Sequence, residues 1–209
     1  MLRYAGGVTK RANSVLALDV PDDLDDAIAA AEAFYGERGL RCVFSVGPGA
    51  TPGLDAELER RGYEVVDPTV IMAGTPVAEP DREVRIEERP WRAWLEAWWA
   101  VDGRYGSGVD EAERICTGVP AWYAAVEEDG VPLAVGRGVP QGDTLGIYCM
   151  ATMPEARRRG LARAALRGLV RHAGAGSAYL VTTAGNEGAQ ALYRSEGFEI
   201  ADRYHYRVR

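Results

Sequence analysis

A seven-residue segment around Gly62 recurs around Gly197, and this repeat restricts the fold more than any other feature of the chain. Arg61-Gly62-Tyr63-Glu64-Val65-Val66-Asp67 is matched by Glu196-Gly197-Phe198-Glu199-Ile200-Ala201-Asp202, an offset of 197 − 62 = 135. At that offset the helical pattern of residues 24–38 falls over 159–173. The strand pattern of 42–46 falls over 177–181, and the short helix 54–61 over 189–196. A repeated unit of this size buries its apolar face only against a neighbour, so the two copies are expected to share a fold. Residues 76–80 hold two prolines and no periodicity, a polar break that sets expected divisions of 1–76 and 80–209.

After the break the chain reads as strand 83–87, helix 91–101, a shorter helix 110–116, and strands 121–127 and 133–139. Asp129-Gly130 makes the hairpin turn between those last two strands. Strand 144–152, helix 158–173, strand 178–183, helix 187–195 and strands 198–201 and 203–208 complete it. Strands come first, then strand and helix alternate, which predicts an α/β (α+β) domain. With 209 residues, 47% hydrophobic and 26% charged, the chain can bury one large core or two small ones.

The segment Met150 to Arg163 is the strongest chemical signal. A strand is expected to splay at Pro154 and to pass through a basic, glycine-punctuated turn into a helix. The first backbone N–H groups of a helix lack intrahelical partners, and the macrodipole adds partial positive charge there. Gly160 lets a phosphate approach the backbone, Ala162 keeps the next turn thin, and Arg157, Arg158 and Arg159 add full charges. The pattern predicts a pyrophosphate cradle. Downstream stands Asn186-x-x-Ala189-x-x-Leu192-Tyr193-x-x-x-Gly197-Phe198.

With these motifs the chain resembles the GNAT acyltransferase superfamily, whose members move an acyl group from coenzyme A to an amine. The family pattern Arg/Gln-x-x-Gly-x-Gly/Ala falls on Arg157, Gly160 and Ala162. The family's Asn, Leu-Tyr and Gly-Phe fall on Asn186, Leu192-Tyr193 and Gly197-Phe198. The resemblance implies a mixed, partly splayed sheet flanked by helices over residues 80–209, preceded by a degenerate half copy over 1–76. It also implies that acetyl-CoA is the co-substrate, with the pyrophosphate on Arg157, Arg158, Arg159, Gly160, Leu161, Ala162 and Arg163. Backbone groups of Met150, Ala151 and Thr152 would face the acetyl and pantetheine arm, and Asn186 would hydrogen-bond that arm.

Acyl transfer from a thioester to an amine requires a donor for the carbonyl oxygen, deprotonation of the amine and protonation of the leaving thiolate. The bound amine attacks directly. Tyr193 is the candidate general acid, and a core tyrosine against Phe198 is its alternative; Asn186 is equally suited to capping helix 187–195. No general base stands out. Relatives such as the N-terminal alanine acetyltransferases of ribosomal proteins carry a glutamate where this chain has Val181, while Glu127, Asp102 and Tyr148 lie near ends of elements expected to line the cleft. Trp91, Trp94 and Trp98 form one helical stripe, which reads as core and secondarily as an aromatic wall beside a loop at 102–108.

The repeat fails where chemistry would be needed. Arg157, Gly160 and Ala162 correspond to Asp22, Asp25 and Ala27, and Tyr193 to Leu58. The first half is therefore expected to bind no coenzyme A. A net charge of −7 argues against nucleic acid. No apolar run reaches the roughly 18 residues of a membrane span, and the first ten residues lack a secretory pattern, so a cytoplasmic location is expected. Cys42, Cys116 and Cys149 form no Cys-x-x-Cys pair, and His172 and His205 have no ligand spacing, so no metal is expected. The reading is an N-acetyltransferase (EC 2.3.1.-) acting on a small-molecule or peptide amine, as monomer or homodimer. A non-catalytic acyl-CoA-binding regulator and a purely structural protein are the rivals.

Overall fold

Parallel strand pairs bridged by a helix organise this chain twice. The computed structural model describes residues 1–75, 79–103 and 108–209. Residues 76–78 of the expected break and 104–107 of the expected loop lie outside the described residues. The chain forms two compact units: Met1–Ile71 with Thr183–Asn186 and Ala201–Arg209, and Met72–Thr182 with Glu187–Ile200.

In the first unit β1 (Val15–Leu16) and β2 (Val43–Val46) pair in parallel, with Val15 opposite Phe44. Parallel neighbours need a crossover, and α1 (Leu24–Gly36) provides it. α1 starts at Asp23, whose carboxylate accepts from the Asp26 N–H at 3.0 Å, and Asp25 and Asp26 complement the helix dipole in the first turn. α2 (Leu54–Arg60) follows, then β3 (Glu64–Gly74), which runs on into the second unit. Ile28, Ala31, Tyr35, Phe44, Leu54, Leu58 and Tyr63 form the core. The end of β9 (Phe198–Val208) pairs antiparallel with β2, from Val43 opposite Val208 to Val46 opposite His205. This pairing draws Ala201–Arg209 into the first unit, although the sequence division placed them in 80–209. Asp55, in the first turn of α2, takes hydrogen bonds from His205 and Arg207, each at 2.8 Å.

In the second unit β4 (Arg85–Glu87), β5 (Trp122–Glu128), β6 (Val131–Gln141) and β7 (Thr144–Thr152) pair antiparallel in succession. β7 then pairs in parallel with β8 (Ser177–Thr183), and α5 (Leu161–Ala173) is the crossover. The sheet is therefore mixed. Side chains alternate between its faces. On one face Val135, Val139, Tyr123 and Ala151 pack with Trp94, Leu95 and Trp98 of α3 (Arg92–Asp102) and Cys116 of α4 (Val109–Cys116). On the other, a Cβ on Gly136 or Gly138 of β6 would press on Leu169 of α5. α6 (Glu187–Ser195) leads into β9, which is one continuous strand where two were expected.

The tryptophan stripe is core. Trp94 is fully buried and its indole N–H donates to the Ala124 carbonyl at 2.9 Å, while Trp91 and Trp99 flank it half-buried. The order strand, crossover helix, parallel strand, short helix, strand thus occurs in β1 to β3 and again in β7 to β9. Trp94→Ala should remove about 3–5 kcal/mol from the unfolding free energy of the second unit, since it leaves both a large cavity and an unpaired carbonyl. Urea unfolding followed by tryptophan fluorescence and circular dichroism would measure the loss.

Candidate functional site

β7 and β8 stop pairing before either strand ends. Their register runs from Thr144 opposite Ser177 to Ile147 opposite Leu180. The divergence therefore starts upstream of Pro154, where the sequence placed it, and Pro154–Ala156 forms a single 3-10 turn. A β-bulge adjoins the point of separation. Across β6 the register shifts so that Cys149 and Met150 together oppose Gly136, and Cys149 takes a left-handed φ of 53°. Such a bulge twists its strand and leaves a peptide group without a ladder partner. Tyr148, Cys149 and Met150 are half-buried, and Ala151 is buried. The strand here presents backbone polar groups along an opened edge, the position expected for Met150, Ala151 and Thr152.

The chain then turns sharply into α5. Arg157 is extended, Arg158 has φ 63° and Gly160 has φ 79°, so the helix begins at Leu161 rather than at residue 158. Left-handed geometry at Arg158 is what the expected helix start overlooked. No side chain caps α5, its first turn contains no acid, and its first intrahelical bond runs from the Ala164 N–H to the Gly160 carbonyl. The N–H groups of Leu161, Ala162 and Arg163 thus point outward at the positive end of the dipole. The space around Gly160 is open: a Cβ there would meet only Arg82, at 3.9 Å. Arg82 adds a basic residue at this turn that sequence reading missed.

The arginines divide into two kinds. Arg157, Arg158 and Arg159 are all exposed, and Arg159 is paired with Glu128. Arg163 pairs at 2.7 Å with Glu196, which also holds Arg167 at 2.6 Å. Glu196 is 7% exposed and anchors one face of α5. Its role was legible as a charge reversal in the repeat, because Arg61 at the equivalent place pairs with Asp25 of α1.

Tyr193 lies on α6 at 6% exposure, its ring 6.1 Å from Phe198, and burial pushes its phenol up to about 12. Leu58, its counterpart in the first half, is also buried. Asn186 is exposed, donates its backbone N–H to Thr183 at 3.0 Å and belongs to the first compact unit. Among the base candidates, Glu127 lies 3.6 Å from Arg85 and Tyr148 is hydrogen-bonded to Tyr179. Cys149 contacts Cys116, sulfur to sulfur, at 3.9 Å, and that hydrogen-bonding neighbour, followed by desolvation, raises its ionisation well above the ordinary thiol range. No cluster of His, Cys, Asp and Glu among the described residues could hold a metal. Among them, too, no helix is long and apolar enough to cross a membrane.

A family model described as "Probable histone acetyltransferase Rv0428c C-terminal" matches residues 1–207. Among solved structures, a GCN5-related N-acetyltransferase from Kribbella flavida is 21% identical, with a TM-score of 0.67 over 94% of this chain and 79% of that one. A functionally unknown conserved protein from Staphylococcus epidermidis reaches a TM-score of 0.73 at 13% identity, over 97% of this chain and 86% of that one. A tandem GNAT protein from the clavulanic acid biosynthesis pathway reaches 0.66 at 14% identity, over 88% and 69%. These likenesses establish the GNAT fold. No curated protein matches the chain.

Gly160→Ala should fold and lose about 1 kcal/mol, the cost of a Cβ at a left-handed φ in otherwise open space. Thermal unfolding of the variant beside wild type would show it.

Proposed function

The chain belongs to the family described as "Probable histone acetyltransferase Rv0428c C-terminal", and on that footing we propose an N-acetyltransferase that uses acetyl-CoA and acts through its second unit. The observation that carries this reading is the start of α5: uncapped, free of acids and entered through a left-handed glycine beside exposed arginines. α1, at the equivalent place, is capped by Asp23 and carries Asp25 and Asp26. One helix start suits an anion and the other repels it. The half over residues 1–76 is accordingly assigned no coenzyme site.

In this reading the pyrophosphate accepts from the N–H groups of Leu161, Ala162 and Arg163, with Arg157 and Arg158 supplying charge-assisted bonds. Arg159 and Arg163 contribute field while bound to Glu128 and Glu196. The pantetheine arm follows the edge that β7 exposes beyond Ile147, and a backbone N–H near the bulge steadies the thioester oxygen. A primary amine, its ammonium proton given up to water, attacks the carbonyl directly. Tyr193 gives its proton to the departing thiolate and regains one through solvent from the nitrogen as the amide forms; held near 12 by burial, it rests protonated throughout the working pH range. Burial against Phe198 also suits the alternative of a non-catalytic acyl-CoA binder, and the two separate at Tyr193.

Calorimetric titration of wild type with acetyl-CoA should show micromolar binding. Gly160→Asp, which sets a carboxylate in the cradle, should weaken it by at least about 30-fold, or about 2 kcal/mol of repulsion. Absence of binding to wild type would refute the enzyme reading. Once an acceptor supports thiol release, Tyr193→Phe should lower kcat by about 100-fold with little change in coenzyme affinity. The kcat/KM ratio of wild type to Tyr193→Phe should hold constant from about pH 7 to 10, because a phenol with raised pKa does not ionise there. A limb near pH 10 found only in wild type would contradict this, and unchanged kcat in the variant would favour the non-catalytic binder.

A further inference from the structure

The aromatic face of the second unit holds a buried cation without a counter-ion among the described residues. Arg137 lies on β6 between Val135 and Val139, residues of the cluster built on Trp94 and Trp98, so the pleat directs it toward α3 and α4. It is 8% exposed. Its Nε makes no hydrogen bond, and Nη2 approaches the Val119 carbonyl at 3.5 Å, the outer limit of such a bond. The ring centroid of Tyr123 is 5.9 Å away. No carboxylate among the described residues pairs with it, whereas Arg61, Arg163, Arg167 and Arg207 each have one.

Burying a guanidinium on these terms carries a desolvation cost that a marginal carbonyl bond and the neighbouring Tyr123 phenol offset only in part. The position bears on the opened strand. Arg137 pairs across the sheet with Tyr148, immediately before the bulge, and its charge and that of Asp102 act in opposite senses on the Cys149 thiol. Beside it, residues 117–120 are exposed, so the guanidinium sits at the rim of the apolar cluster next to solvent.

We propose that Arg137 binds a carboxylate of the acceptor, so that the acceptor is an amino-acid-like amine carrying an acid group and an apolar or aromatic side chain. This rests on the acetyltransferase reading above. The planar fork of Nε and Nη2 matches a carboxylate, the exposed Val119, whose carbonyl faces Arg137, meets the apolar part at the solvent rim, and the amine is left toward the bulge at Cys149 and Met150. A lysine within a basic peptide brings no carboxylate to this place.

Titration of the full chain with phenylacetate and with the uncharged phenylacetamide tests the site without turnover. Wild type should bind phenylacetate at least about 10-fold more tightly. Arg137→Met should erase that preference, and Arg137→Lys should keep part of it. Arg137→Met should also raise the Tm of the ligand-free protein, since an apolar isostere relieves an unpaired buried charge, whereas a merely structural arginine would give a lower Tm. Equal affinity for the two probes, no heat from phenylacetate up to about 20 mM, or a preference that survives Arg137→Met would overturn the proposal. In turnover, phenylalanine should be preferred to phenethylamine, and that preference should fall at least tenfold through KM in Arg137→Met. Acetylation of basic peptides together with rejection of amino acids would also overturn it. Acetyl-CoA titration of the same proteins reports on the acetyltransferase reading separately, because its failure leaves the phenylacetate result standing.

Discussion

Backbone groups that lose their sheet partner must find another, and the separation of β7 from β8 beyond Ile147 and Leu180 imposes that requirement at the centre of the second unit. The parallel pair forms because α5 carries the chain across one face, and it cannot persist because the bulge at Cys149 and Met150 turns β7 away. What remains is a strand edge lined by peptide groups that leads into a helix start with outward N–H groups. Edge and helix start are both backbone features. They suit a long, flexible ligand with a polar amide arm and a diphosphate, and they make small demands on side-chain identity.

Charge distinguishes the two similar halves. Both place a helix after a strand and end a short helix on a residue that grips the preceding one. In the first half Arg61 holds Asp25; in the second, Glu196 holds Arg163 and Arg167. The reversed sign follows from the helix starts. An acidic start stabilises its own helix and needs a cation from its neighbour, whereas a basic start works against the dipole and is steadied by a buried acid. Glu196 therefore belongs to the architecture of the α5 start although it lies on another element.

Much of the fold was legible because hydrophobic period and turn residues act locally. The repeat around Gly62 and Gly197, the helices 91–101 and 187–195 and the strand 144–152 emerged close to their observed bounds. The start of α5 did not, since residues 158–160 look helical in composition while Arg158 and Gly160 adopt left-handed φ. The basic, acid-free start of α5 was legible for the reason that glycine and arginine beside a helix start have a direct electrostatic meaning. Arg137 was not, because one arginine between two valines on a strand looks like a solvated residue until the opposite layer covers it.

The sequence by itself determined the elements, their order and the charge carried by each helix start, all consequences of neighbours a few residues apart. Tertiary structure alone decided where β7 leaves β8, which arginines are held by Glu128 and Glu196, and that Arg137 is buried with no carboxylate paired to it among the described residues. Those outcomes depend on pairing and burial between residues distant in the chain, and desolvation, which gives an unpaired charge its cost, acts only once the layers have closed over it.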